Sequence, residues 1–442
     1  MFEIGRELKR FFSSPPARDG LCRGDSSLLE LLDLKLLAGE ARAADVAVGR
    51  IGEKDRPTRL LEASAVWREL ARRTGDPASL RKSASCAEHA ARIWRQEGRA
   101  RSLPGALCAQ AEAALLGAEL FAEAALNAAA DFLVGKTPSG STATAALAAR
   151  IGARQALSNG GLEEVCAAAR RYQRPLAELE GVARTAQAGA SLRCDRAEFL
   201  TGAGVRLGDT QLLDQALEDL DKACLILNGD YHPLSAARAA ELRGLALVRL
   251  GEIEADVGAI LEGLDALTTA VDMVAPDHSP LDWARLQHSQ GLALMALGEA
   301  GDSESAFDRA LRALGRALPV LNAAPSLALR TVAAQDRAAC LVRRAELKGD
   351  ILALDEAEAI LRSELAALRA PPDPVAWAVL QLNLARIYMA QASARGRDNG
   401  EGRRAGDALA SALDVFGEHG LRSLSALANT ALDKLRETAA AR

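Results

Sequence analysis

Aromatic side chains are scarce in this sequence, at 3% of its residues. Runs of Val and Ile with period-two alternation are absent, which excludes half-buried strands as the main building element. A basic excess is missing as well: 54 Lys and Arg stand against 59 Asp and Glu, a net charge of −5. A chain that lives on nucleic acid ordinarily carries a basic surplus or stripe, so nucleic acid is not expected as a partner. No apolar run reaches the length needed to span a bilayer. Glu3, Glu7, Lys9 and Arg10 interrupt any apolar segment of the secretory kind at the start. The seven cysteines (Cys22, Cys86, Cys108, Cys166, Cys194, Cys224, Cys340) are odd in number and scattered singly, with no two at metal-ligand spacing. That excludes a disulfide framework and fits small core side chains in a reducing, cytoplasmic setting.

What remains is Ala, Leu and charge. Hydrophobic residues make up 49% of 442 positions, enough for a large core, and small unbranched side chains suit closely packed helices. The expectation is an all-α protein. A length of this order means several domains or one elongated repeat array.

Laying the chain on itself decides for the array. Residues 233–252, PLSAARAAELRGLALVRLGE, match residues 280–299, PLDWARLQHSQGLALMALGE, at an offset of 47. Downstream, Leu264, Leu267 and Ala270 map onto Leu311, Leu314 and Ala317, and one period upstream onto Leu217, Leu220 and Ala223. Trp283-Ala-Arg-Leu-Gln287 recurs as Trp377-Ala-Val-Leu-Gln381, two periods on, with Gln335 marking the copy between. Each unit reads as two helices. The first runs from a proline to Leu250-Gly251 or Leu297-Gly298, where Gly is expected to supply a left-handed stop.

At these residues the chain resembles the tetratricopeptide repeat family. The resemblance rests on the Gly291-to-Gly298 spacing, on Asn383-Leu384-Ala385-x-x-Tyr388, and on Ala pairs seven apart: Ala216 and Ala223, Ala310 and Ala317, Ala405 and Ala412. It implies a right-handed superhelical solenoid of stacked antiparallel helix pairs, about eight of them, with terminal capping helices. The period exceeds the family's 34 residues by about 13; the excess is expected mostly between the helices and at the exit, with second helices longer than usual. Five segments follow: an amphipathic helix and hinge (1–16), a capping helical segment (17–57), degenerate pairs (58–184), clear repeats (185–420) and a capping helix (421–442).

Motifs for chemistry are thin. Gly135-Lys136-Thr137 resembles the end of a phosphate loop, yet Ala130 stands where the earlier Gly belongs and residues 122–134 read as helix. The histidines (His89, His232, His278, His288, His419) form no metal-ligand spacing. No nucleophile elbow or glycine fingerprint occurs. No cofactor, metal or catalytic residue is expected, and the chain reads as a non-enzymatic adaptor. Recurrence of Trp283 and Trp377 at one repeat position favours packing between neighbouring pairs over ligand stacking.

In the family, function sits on the inner face lined by first helices. Projecting the period nominates Arg206, Arg238, Arg249, Arg285, His288, Arg343, Arg344 and Arg386 as partner-binding residues, interleaved with Asp195, Glu198, Glu241 and Met389. Such a face would clamp an acidic segment or a C-terminal carboxylate of a protein partner through Arg pairs, or form a solvated surface with its neighbouring acids. Separately, Ile4, Leu8, Phe11 and Phe12 share one face of a helix at 2–12, which could dock on the solenoid, join two copies, enter a partner's groove or lie on a membrane surface. Residues 391–405, polar and Gly-rich, read as a mobile loop inside the last pair.

Overall fold

The computed structural model describes residues 27–50, 55–137, 141–182, 185–324, 327–368, 374–396, 398–419 and 421–440. Among them there is no strand: the chain is an all-helical repeat array. Residues 1–26, with Ile4, Leu8, Phe11 and Phe12, lie outside the described residues. The chain divides into two compact units. The first runs to Ser289 and takes in 323–328; the second holds Gln290–Asn322 and Leu329 onward.

In the first unit, a single 3-10 turn (Ser27–Leu31) and helix α1 (Leu34–Arg50) precede the pair α2 (Arg56–Thr74) and α3 (Pro77–Gln96). Then come α4 (Leu103–Phe121) with α5 (Ala124–Gly135), and α6 (Thr142–Asn159), whose partner arm is broken into α7 (Leu162–Arg170) and α8 (Gln173–Glu180). The break places Pro175 in the first turn of α8, where its missing N–H costs nothing, and buries Tyr172 at the corner. The periodic part follows: α9 (Ala186–Leu207) with α10 (Thr210–Ile226), α11 (Pro233–Glu254) with α12 (Val257–Met273), and α13 (Pro280–Gly301) with α14 (Glu304–Asn322). The division falls inside α13 and α14 belongs to the second unit, which continues with α15 (Ala328–Lys348) and α16 (Ile351–Ala367), α17 (Pro374–Ala394) and α18 (Glu401–Glu418), and a last helix α19 (Arg422–Ala440).

The period of 47 is a structural one: the second helices α10, α12, α14 and α16 begin at Thr210, Val257, Glu304 and Ile351. The extra length is not mostly between the helices, and the first helices share in it as well as the second. It lies inside the helices, since α9, α11 and α13 each have 22 residues while the α11–α12 link is Ala255-Asp256 alone. Nor are Leu250-Gly251 and Leu297-Gly298 stops, because α11 and α13 pass through them. The left-handed residue comes four positions later, at Ala255 (φ 56°) and Asp302 (φ 45°), in register with Gly208 (φ 66°) and Gly349 (φ 67°). An Asp or Ser follows each and caps the next helix: Asp209 accepts from the Gln211 N–H, Asp256 from Gly258 and Asp350 from Ala353. Gly251 and Gly244 serve close approach instead. A Cβ on Gly244 would meet the Gly263 carbonyl oxygen at 2.7 Å, and one on Gly251 the Asp256 carbonyl oxygen at 2.7 Å.

The core is the Ala–Leu seam read from the period. Ala216, Leu220, Ala223, Leu267, Ala270, Ala310, Leu314, Ala317, Ala405 and Ala412 have no exposed surface. Trp283 packs among Leu234, Ala237, Ala270, Val274 and Leu286, between neighbouring pairs. The segment 391–405 is mostly helix: α17 ends at Ala394 and α18 begins at Glu401, with Arg395 and the Asn399 N–H both bound to the buried Glu401 carboxylate. Arg-rich though it is, it forms a short, internally bonded turn.

Candidate partner-binding cleft

The first helices of successive pairs carry long charged side chains that meet from helix to helix. In the first unit the charges neutralise one another from helix to helix. Arg68 of α2 pairs with Glu112 of α4 at 2.6 Å, and Glu119 of α4 faces Arg154 of α6 at 4.0 Å. Arg150 of α6 reaches Asp195 of α9 at 3.2 Å, and Arg238 of α11 reaches Asp195 at 2.8 Å and Glu198 at 2.7 Å. Arg285 of α13 bonds Glu241 of α11 at 2.9 Å and its own-helix Asp282 at 3.0 Å. Burial alone would raise the Asp195 carboxyl, but the Arg150 and Arg238 guanidiniums hold it below its ordinary range. Asp282 behaves alike: burial is overcome by Arg72 and Arg285, and its carboxyl lies far below the usual value.

This arrangement sorts the nominated residues. Arg238 and Arg285 carry internal ion pairs, and His288 is buried at 6% exposure. Arg249 pairs within its helix with Glu252 at 2.6 Å, and Arg206 donates to the carbonyls of Ala156 and Gly160. In the second unit, Arg343 sits between Glu346 and Glu299, and Arg344 faces Asp308 at 2.8 Å. Arg386 differs. It is exposed on α17 and makes no ion pair among the described residues.

Arg343 and Arg386 meet at one place, a cleft of about 1170 Å³ bounded by α15, α17 and α19. Leu382, Met389, Leu427 and Leu435 give it apolar walls, with Arg403 and Lys434 at the polar edge. Leu427 keeps 60% of its surface exposed there. The volume exceeds what drug-sized ligands ordinarily fill, and suits a length of chain. Arg206, Arg238, Arg249, Arg285 and His288 belong to the first unit and take no part in it. Sequence reasoning found Arg343, Arg386 and Met389 by period. It missed Leu427, Ala431, Lys434 and Leu435, although their i, i+4, i+7, i+8 spacing marks an inner stripe on a helix read only as a cap. The Gly135-Lys136-Thr137 turn has local uses: Lys136 lies over the Phe132 ring at 3.9 Å and the Thr137 hydroxyl donates to the Leu133 carbonyl.

Among the described residues no helix is long and apolar enough to cross a membrane, and no group of three His, Cys, Asp or Glu could hold a metal ion. No protein-family model matches the chain, and no curated protein does. Solved structures do. A Rap protein crystallised with competence and sporulation factor is similar at 11% identity and a TM-score of 0.50, over 85% of this chain and 97% of that one. An aspartyl phosphate phosphatase F from Bacillus subtilis matches at 12% identity and a TM-score of 0.40, over 84% of this chain and 91% of that one. An IFIT1 monomeric mutant with m7Gppp-AAAA matches at 13% identity and a TM-score of 0.48, over 94% and 90%. At these identities the likeness speaks for fold alone: a TPR-like helical repeat array.

Proposed function

We propose that this chain is a non-enzymatic interaction scaffold whose second unit takes an acidic, apolar-bearing segment of a partner protein in the cleft between α15, α17 and α19. The observation that carries the reading is Arg386, a guanidinium at an apolar-walled cleft with no anion of its own among the described residues. Leu382, Met389 and Leu427 would receive the segment's apolar side chains, and Arg386 its carboxylate. The first unit's nominated arginines are poor candidates for that role, since Arg238, Arg249 and Arg285 already hold carboxylates and Arg206 backbone carbonyls. Free cysteine side chains at Cys86, Cys108, Cys166, Cys194, Cys224 and Cys340 suit the reducing cytoplasm in which we place the protein.

The test uses fluorescence anisotropy with a fluorescein-labelled amphipathic peptide of Leu and Glu, its Leu and Lys counterpart, and an oligo-A RNA. The acidic peptide should bind, weaken as salt rises, and lose about tenfold or more in affinity to Arg386→Glu at unchanged melting temperature. Equal affinity for both peptides, or tighter binding of the RNA, would overturn the reading.

A further inference from the structure

The ion-pair sequence of the first unit does not stop at α13. It returns to its start. The Arg72 Nη1 at the C-terminal end of α2 donates to both carboxylate oxygens of Asp282, at 3.0 and 2.8 Å, in the first turn of α13. Arg73, with no exposed surface, donates to the carbonyls of Leu29, Leu32 and His278, at 2.5, 2.6 and 3.5 Å, and so ties the Ser27–Leu31 turn to α2 and to the entry of α13. The His278 ring completes the tie through Nε2, 2.8 Å from the Glu30 carbonyl oxygen.

The Glu30 side chain does something more specific. Helix α11 begins with His232 at its cap position, and that residue makes no side-chain capping bond. Glu30, 204 positions away, supplies the cap: its Oε2 accepts from the N–H groups of Leu234 at 3.1 Å and Ser235 at 2.8 Å, and the Ser235 hydroxyl donates to Oε1. A carboxylate at a helix N-terminus satisfies orphan donors and favours the helix dipole.

This joint differs in kind from the others. Successive pairs of the array are held by apolar seams, as where Phe199, Leu220, Ala223 and Leu242 share one core. Across the α2–α13 joint, among the described residues, carboxylates, guanidiniums and backbone groups make the ties, and Leu327 lies against Gly75. Parting polar groups that water can resolvate costs far less than opening a packed seam. We propose that this joint is a latch: the first unit is held closed by Glu30 on α11 and Arg72 on α13, and opens there in preference to every other joint, uncovering the charged inner face of α11 and α13.

The latch makes its two halves interdependent, which separates it from two local contacts. Hydrogen exchange by mass spectrometry on the full chain, with Glu30→Ala and separately Arg72→Met, tests this. Arg72 does not touch α11. Even so, Arg72→Met should speed exchange at the first turn of α11 about tenfold or more, together with the last turn of α2, while α9 and α10 stay protected. Glu30→Ala should do the same at the first turn of α13. Responses confined to the helix end each side chain touches would overturn the proposal. So would faster exchange throughout the first unit, or loss of the helical circular dichroism signal in both variants.

Discussion

A guanidinium on an inner face is available only if no carboxylate has already claimed it, and Arg285 and Arg386 show the two outcomes. Arg285 sits between Glu241 and Asp282, and the price of disturbing that group falls on the buried acid. Asp282 is buried, held by Arg72, Arg285 and the Ser279 hydroxyl, and its carboxyl is depressed far below the range of an unfolded chain. A depressed carboxyl contributes stability that is fully present above its unfolded pKa, about 4, and is lost as pH falls toward the folded value. Asp282→Asn should therefore destabilise by about 1–3 kcal/mol near neutral pH, since Arg72 and Arg285 each lose one of their two carboxylate partners. That difference should begin to shrink as pH falls below about 4, which thermal melts of both proteins from about pH 6 to about pH 2 would measure. The period of the sequence placed Arg238, Arg285 and Arg386 alike on inner faces. It could not tell them apart, because the partners of the first two lie a repeat away: Glu241 is 44 positions from Arg285, and Asp195 is 43 from Arg238.

Between residue and molecule, the helix-turn-helix element was legible in its packing and misread in its turn. Ala pairs and Leu positions found from the offset of 47 are the buried ones, because a repeated core must repeat its small and large side chains in place. The stop was assigned to Gly251 and Gly298 on the rule that Gly ends helices, and close helix packing uses the same residue for a different reason. A better signal was present: Gly-Asp recurs at 75–76, 208–209 and 349–350, each time a left-handed residue followed by a capping side chain. Ala255 occupies that left-handed place with φ 56°, a conformation that costs an L-residue roughly 1–2 kcal/mol. Ala255→Gly should raise stability, by about 0.5–1 kcal/mol after glycine's own entropic cost. Gly251→Ala should lower it by about 1–3 kcal/mol, because the new methyl meets the Asp256 carbonyl and Ile260 at 2.7 Å. Chemical denaturation of the two variants checks both signs, and a stabilising Gly251→Ala would overturn the close approach assigned to Gly251.

At the scale of the whole molecule, buried titrating charge is concentrated in the first unit, and acid should reveal the difference. Glu69, Asp195 and Asp282 are all in that unit. Burial would raise each, yet Arg72 and Arg73, Arg150 and Arg238, and Arg72 and Arg285 respectively hold each below its ordinary value. Glu30 and Asp219 oppose them, since burial pushes those two carboxyls up and the folded form then takes protons more readily than the unfolded one. In the second unit, among the described residues, Glu401 is the acid held low, with the N–H of Asn399 and Arg395 outweighing its burial. Glu69, Asp195 and Asp282 bind fewer protons than their unfolded counterparts below about pH 4, so their contribution to stability rises with pH and falls on acidification. Repeat arrays unfold in parts when one stretch loses its neighbour contacts before another. The tryptophans allow each part to be watched: Trp283 packs in a cluster of the first unit and Trp377 in one of the second. Variants retaining Trp283 alone or Trp377 alone, titrated from about pH 6 to about pH 2, should change fluorescence in that order, Trp283 at the higher pH. Added salt should bring the Trp283 transition to higher pH still, by screening the guanidinium–carboxylate attractions that keep these carboxyls ionised. If Trp377 responds first, or the two coincide at every salt concentration, the paired charges of the inner face are not what sets the acid stability of the first unit.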